Sequence, residues 1–287
     1  MGIKAALDAH GLRPQKKWGQ NFLTDARILE SIADTAEVTR DDNILEIGPG
    51  LGHLTRVLAR RAGRVTAVEI DRDLATRLSA EFAETPNVKI VHGDILAFDP
   101  SELIGAGHDP ALVATSFKIV ANLPYYITSA ILRHILQAAR KPRIVVVMVQ
   151  REVAQRMTAQ PPAMSRLAVS VQFFARARIA RTISAGAFYP RPQVDSAVVR
   201  LDVFDPSPLA AEDTERFFEI VRAGFGERRK QLRNSLARGL ALDPDTAAAA
   251  LARARIQPTR RAETLTLEEW RALYHELARP SVRGTHA

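Results

Sequence analysis

Cysteine is absent from the 287 residues, which excludes disulfides, a thiol nucleophile and thiolate-bound metal and fits a reducing compartment. Long apolar runs are absent too. The longest, Ile144 to Val149, has the length of a strand rather than of a bilayer span, and the N-terminus lacks the apolar segment of a secretory signal. The expectation is a cytoplasmic protein with no membrane partner. Acids are missing from one long stretch, because between Arg140 and Arg200 eleven Lys or Arg face only Glu152 and Asp195. That is a local balance of +9 within a total of +8, so the rest of the chain sums to −1. A basic block so short of acids suits a polyanion, nucleic acid first, with a solvated basic face as the plain alternative. The length allows one large domain and a smaller one.

What is present centres on Glu46 to His53, EIGPGLGH. The apolar run Asn43 to Ile47 reads as a buried strand, and Gly48, Gly50 and Gly52 follow at alternate positions before an amphipathic helix. Glycines at a strand-to-helix turn let backbone approach a ligand closely, and the unpaired N–H groups of the helix start favour negative charge. An ordinary surface turn has the same spacing. Further strands are expected at Val65 to Ile70, Val88 to Val91, Lys118 to Ala121 and Arg143 to Val149, with helices between most of them. This alternation predicts an α/β fold built on a mostly parallel sheet with helices on both faces, whose ligands sit at the carboxyl ends of the strands. Those ends carry Glu69, placed to accept from ribose hydroxyls, and Asp94, placed to accept from an adenine amine beside apolar Ile95 and Leu96. Singly, each acid is equally explained as a loop charge or helix cap.

The fourth strand ends in Asn122, Leu123, Pro124, Tyr125 and Tyr126. The Asn122 amide oxygen and Leu123 carbonyl can accept both hydrogens of an exocyclic amine, Pro124 restrains the backbone, and Tyr125 offers a stacking face. Two such acceptors would localise the lone pair of an adenine amine and aim it at an electrophile. The arm before Leu23 mixes Lys16, Lys17, Trp18, Asn21 and Phe22, which suits either a clamp over a ligand or an arm packed on the domain.

Taken in order, the motifs are KKWGQNFL (16–23), EIGPGLG (46–52), VEID (68–71), GDIL (93–96), NLPYYIT (122–128), MVQREVAQRM (148–157), FYPRPQVDSAVVRL (188–201) and RRKQLRNSL (228–236). In these the chain resembles the ribosomal RNA adenine dimethyltransferases, class I methyltransferases with a Rossmann-like sheet that use S-adenosylmethionine. The resemblance implies that Asn21 and Leu23 fold over the methyl donor, that Gly48 and Gly50 lie beside its amino-acid end, that Glu69 holds its ribose, and that Asp94 and Ile95 meet its adenine. It places Asn122 between donor and substrate and Tyr125 and Phe188 on the two faces of the target base. An unpaired base is required, since the amine must leave any stack to react. No metal is implied. The implied substrate is a pair of adjacent adenines, each dimethylated at N6, near the 3′ end of small-subunit (16S) rRNA within a pre-ribosomal particle, with a role in subunit biogenesis; a monomer is expected.

Residues 1–205 are read as the catalytic domain with its arm, 206–279 as a small all-helical RNA-binding domain, and 280–287 as a disordered tail. A helix from Arg151 to Met157 carries Arg151 and Arg156. Another, from Arg229 to Arg238, presents Arg228, Arg229, Lys230 and Arg233 as a cationic face that resembles the family's RNA-contacting region. Arg176, Arg178 and Arg181 alternate in a strand-like stretch, explained by an RNA face or by an exposed sheet edge. Pro161 to Arg166 departs from the family pattern, which bears on loop shape and RNA fit. Three other readings stay open here: a large-subunit rRNA adenine methyltransferase conferring antibiotic resistance, a dinucleotide-dependent oxidoreductase, and a non-catalytic assembly factor.

Overall fold

The computed structural model describes residues 20–105, 116–125, 127–227 and 229–278. The readings placed on Lys16 to Trp18, Tyr126, Arg228 and the tail 280–287 lie outside these residues. In chain order the strands are β1 (Phe22–Leu23), β2 (Asn43–Ile47), β3 (Arg64–Glu69), β4 (Val88–His92), β5 (Phe117–Asn122), β6 (Ile144–Gln150), β7 (Ala175–Ile183), β8 (Phe188–Tyr189) and β9 (Ser196–Val203). The helices are α1 (Ala26–Thr35), α2 (His53–Arg61), α3 (Arg72–Glu81), α4 (Pro100–Gly105), α5 (Thr128–Gln137), α6 (Arg151–Met157), α7 (Arg166–Gln172), α8 (Ala211–Gly224), α9 (Leu232–Gly239), α10 (Pro244–Arg253) and α11 (Leu267–Ala278). Among the described residues no helix is long and apolar enough to cross a membrane.

The chain divides into two compact units, 1–155 with 175–205, and 156–174 with 206–287. The first is a seven-stranded sheet in the order β4-β3-β2-β5-β6-β9-β7. Its first five members run parallel, while β9 lies antiparallel between β6 and β7. Neighbours of opposite parity, Ile44 and Leu45, Val145 and Val146, are all buried. Both faces are therefore covered, which is why these strands read as continuous apolar runs. A separate antiparallel pair sets Phe22 opposite Tyr189 and Leu23 opposite Phe188.

Short polar signals fix the helix starts. The Asp25 carboxylate accepts from Arg27 N at 2.9 Å before α1, and Asp71 accepts from Asp73 N at 3.1 Å before α3. Gly52 precedes α2 with φ +74°. A side chain there would be strained, and its Cβ would come within 2.7 Å of Leu78 Cδ2. Gly52→Ala should therefore cost about 1–2 kcal/mol, visible as a lowered urea midpoint at unchanged m-value. An unchanged midpoint would mean that the left-handed turn is not required.

The second unit gathers α7 with α8, α9, α10 and α11 around an aromatic core. Phe173 stacks on Phe217 at 4.5 Å and meets Phe174 edge-on at 4.8 Å, and Trp270 is fully buried against Phe225. The sequence reading places 156–174 in the catalytic domain. The structure groups it with the helices after Pro206, because Phe173 and Phe174 supply part of their core. Within this unit the departing loop is pinned: Met164 N donates to Glu263 O at 3.0 Å, and Ser165 Oγ accepts from Ala168 N at 3.0 Å.

One helix differs from its expected form. The segment expected to run from Arg229 begins as α9 only at Leu232, whose N–H donates to the Arg260 carbonyl at 2.7 Å. Arg229 and Lys230 are exposed in the preceding turn, and Arg233, on the helix, is half-buried with Nε donating to Asn234 Oδ1 at 3.4 Å. The cations are thus spread over a turn and a helix start rather than aligned on one helix face.

Candidate active site

The chain runs outward from β2 through β3 to β4, then returns to β5 on the other side of β2. That reversal leaves a crevice at the carboxyl ends of β2 and β5, where open parallel sheets place their ligands. An open cleft lies there. It is lined from β2 and its turn by Glu46, Gly48, Pro49, Gly50 and Leu51, from β3 by Glu69, and from the end of β5 by Asn122, Leu123, Pro124 and Tyr125. A Cβ on Gly48 would sit 3.8 Å from the Asn122 carbonyl oxygen, so the two expected halves of the site meet.

Residues 20–23 form one side of the cleft. Gln20 Nε2 donates to Asp71 Oδ2 at 3.3 Å, Asn122 Nδ2 donates to the Asn21 carbonyl at 3.3 Å, and His53 Nδ1 donates to the Leu23 carbonyl at 2.9 Å. Burial lowers the pKa of His53, which favours the neutral ring in that bond. Phe22 packs so close to the turn that a Cβ on Gly50 would lie 3.1 Å from its ring. Of the two readings of the arm, its described part thus both packs on the domain and borders the cleft.

Glu69 is buried and accepts from Gly50 N at 2.9 Å and from Asp71 N at 3.0 Å. Burial raises its pKa, opposed by those two N–H groups. Each carboxylate oxygen keeps a lone pair for a guest. Asn122 spends its amide nitrogen on the arm, leaving Oδ1 without a protein partner among the described residues. Leu123 is buried with its N–H held by the Met148 carbonyl at 3.1 Å, and the Pro124 carbonyl accepts from Ile127 N and Thr128 Oγ1. The tetrapeptide is therefore a braced turn. Tyr125 is half-buried, its hydroxyl 2.8 Å from Ser196 Oγ, and burial raises its pKa.

Three residues expected at the cleft, and two expected at the RNA, stand apart from its lining. Asp94 is exposed and caps a short 3-10 turn by accepting from Leu96 N at 2.9 Å, while Ile95 is buried beneath that turn. Both remain close to the cleft in the chain, since Gly93 N donates to the Glu69 carbonyl at 2.9 Å. Phe188 is 6% exposed in the hydrophobic core with Leu23 and Leu29, and it does not line the cleft. Arg151 is exposed and paired with Asp195 at 3.3 Å, and Arg156 is exposed. Among the described residues no group of three or more His, Cys, Asp or Glu is placed to hold a metal ion.

One cleft residue received no role from the sequence. Glu46 is fully buried on β2, its Oε2 has no hydrogen-bond partner, and burial pushes its carboxyl up to about 8, helped by the nearby Glu69 charge. The available signal was an acid inside an apolar strand run next to a glycine turn. An orphaned acceptor there fits the ammonium group of an amino-acid moiety, and the turn at Gly50, left-handed at φ +59° and crowded by the Phe22 ring, fits close backbone approach to it. With Glu69 one strand over, the donor set suits S-adenosylmethionine.

Comparison with known proteins bears on this site. Residues 11–279 match the family described as ribosomal RNA adenine dimethylase. A protein of Dehalococcoides mccartyi named ribosomal RNA small subunit methyltransferase A is 44% identical over 94% of this chain and 90% of its own. A protein of Moorella thermoacetica with the same name is 43% identical over 95% of this chain and 96% of its own. Among solved structures, the 23S rRNA methyltransferase ErmE aligns with a TM-score of 0.69 at 32% identity, over 89% of this chain and 99% of its own. A dimethyladenosine transferase from Plasmodium falciparum aligns with a TM-score of 0.73 at 22% identity, over 88% of this chain and 95% of its own, and shares the fold.

Proposed function

We infer the substrate from the premise that the chain belongs to the ribosomal RNA adenine dimethylase family and is an S-adenosylmethionine-dependent rRNA adenine dimethyltransferase: it methylates the N6 amines of two adjacent adenines, each twice, near the 3′ end of small-subunit (16S) rRNA. The observation that carries the reading of the site is the meeting of Gly48 and Asn122 at the crevice between β2 and β5. The names of relatives at 43–44% identity support the small subunit over the large one. A pre-ribosomal particle as substrate, a part in subunit biogenesis, a cytoplasmic location and action as a monomer complete the reading.

Bound S-adenosylmethionine supplies a methyl carbon activated by its sulfonium. Glu46 and the backbone at Gly48 and Gly50 would hold the amino-acid end, Glu69 would accept from the ribose hydroxyls, and Asn21 to Leu23 would cover one side. Asn122 Oδ1 and the Leu123 carbonyl accept the two amine hydrogens, turning the nitrogen lone pair toward the methyl group, while the ring of Tyr125 backs the base. The chemistry the donor would supply is a displacement at that methyl carbon, with its sulfur leaving as a neutral thioether. The nitrogen becomes acidic only after the methyl arrives, so its proton can leave to water without a strong base. Arg151, Arg156, Arg229, Lys230 and Arg233 serve the RNA backbone.

Mass spectrometry of nucleosides provides the test. Isolated small and large ribosomal subunits, taken unmethylated and treated with this protein and labelled S-adenosylmethionine, should yield labelled N6,N6-dimethyladenosine from the small subunit only. Label in the large-subunit RNA would overturn the small-subunit reading.

A further inference from the structure

Strand β7 is the edge of the sheet and reads ARARIARTI. In an unbroken strand, residues two apart share a face, so Arg176 and Arg178 would face one side and Arg181 the other. The register shows otherwise. Arg176 lies opposite Asp202 and Arg178 opposite Arg200, then Ile179 opposite Val199 and Arg181 opposite Val198, leaving Ala180 as the extra residue of a β-bulge. Residues paired across two strands project from the same face of the sheet, so Arg181 joins Arg176 and Arg178 on the face of Val198, Arg200 and Asp202. All three arginines are exposed, and none of their side chains has a hydrogen bond or ion pair among the described residues.

The acids closest in register are already engaged. Arg200, 8% exposed, holds Asp202 at 2.7 Å and Glu37 at 2.6 Å. The result is a row of uncompensated guanidinium groups, the first two rooted about 6–7 Å apart by the strand rise, a spacing comparable to that of neighbouring phosphates on an extended RNA strand. Charge that only guards an edge against strand pairing can point to either side. Here the bulge brings three charges to one side.

We propose that β7 is a phosphate-binding ridge for the rRNA substrate, apart from the cleft that carries the chemistry. The ridge rests on the rRNA reading above. Guanidinium groups on such a ridge position RNA by its backbone and leave sequence choice to the catalytic turn.

The experiment compares the full-length protein with Arg176→Gln/Arg178→Gln/Arg181→Gln for binding to a protein-free small-subunit rRNA transcript over a range of KCl. The triple variant should bind about ten- to a hundred-fold more weakly at low salt, and its log–log salt slope should be shallower by about 2–3, at roughly 0.7–0.9 per lost phosphate contact. Affinity for S-adenosylmethionine should be unchanged. Arg176→Lys/Arg178→Lys/Arg181→Lys, which keeps the charge, should restore the slope. An unaltered slope in the glutamine variant, or a lysine variant as weak as the glutamine one, overturns the ridge. The two readings separate cleanly: if the unsubstituted protein methylates the rRNA of isolated, unmethylated small subunits while the glutamine variant binds the transcript normally, the ridge alone falls, whereas an unsubstituted protein that leaves those subunits unmethylated removes the premise.

Discussion

Replacing Asn122 by alanine should slow single-turnover methyl transfer by about 10²- to 10³-fold at saturating donor, the range seen when one preorganised polar contact to a reacting centre is deleted. The structure explains why so much depends on one side chain. Its nitrogen is fixed by the Asn21 carbonyl at 3.3 Å, which sets the orientation of the amide and leaves Oδ1 as the acceptor beside the cleft. Alanine removes an acceptor whose direction was settled before substrate arrived, and with it the alignment of the amine lone pair. It also removes the bond from the side chain to the Asn21 carbonyl, so donor affinity measured by calorimetry should weaken, by less than tenfold. The separation between the two readouts is diagnostic. A single-turnover rate at saturating donor equal to that of the unsubstituted protein would remove Asn122 from the reaction, and a loss confined to donor affinity would reduce it to a brace for the arm.

A second large effect concerns stability against pH. The Glu46 carboxyl is pushed from an ordinary 4.5 up to about 8 by burial. In the folded protein it keeps its proton across neutral pH, whereas in the unfolded chain it ionises above about pH 4.5, so folding takes up a proton between these values. The stability associated with that proton is fully present below pH 4.5 and is lost as pH rises toward 8, at up to about 1.4 kcal/mol per pH unit. Glu46→Gln, neutral at every pH and of the same shape, escapes the loss. Denaturant titrations should show the variant and the unsubstituted protein alike near pH 4.5, with the variant ahead by several kcal/mol (of order 2–5) at pH 8. A stability difference that stays flat across this range would show that Glu46 is ionised in the fold. The same variant should bind S-adenosylmethionine more weakly, since the amide, unlike the acid, cannot give up a proton and become a carboxylate when the donor's ammonium arrives beside it.

The legible parts of the sequence were those in which function is written into consecutive residues. The glycine turn after β2 and the turn from Asn122 to Tyr125 each need a fixed local backbone, so a short word of sequence carries them, and the strand alternation located both at carboxyl ends. Pairings between distant segments were not legible. That the Asn21 carbonyl holds Asn122, or that Leu23 lies opposite Phe188, depends on which edges meet after folding. Phe188 illustrates the difference: its motif marked it as a partner for the base, and its strand pairing carries it into the core. Arg181 is similar, because a one-residue bulge reverses the face that simple alternation assigns. Glu46 was in view from the beginning, but an acid in an apolar run acquires meaning only when burial and an unpartnered oxygen are known.

Glu69 is locked by Gly50 and Asp71 before any guest arrives. Its grip on a ribose therefore requires little reordering, and the same holds for the glycine cradle. On the proposed reading both would meet parts of the donor that survive the reaction unchanged, so the spent donor, lacking only its methyl group and positive charge, should be held almost as firmly as the fresh one. Binding shared by both species lowers the concentration of donor needed without hastening the chemical step. Each adenine takes two methyl groups in succession, and the spent molecule must leave between them. On that reading, the rigidity that readies the cleft for the first transfer should make exchange a brake on the second, and a lower ratio of fresh to spent donor should leave more adenines singly methylated.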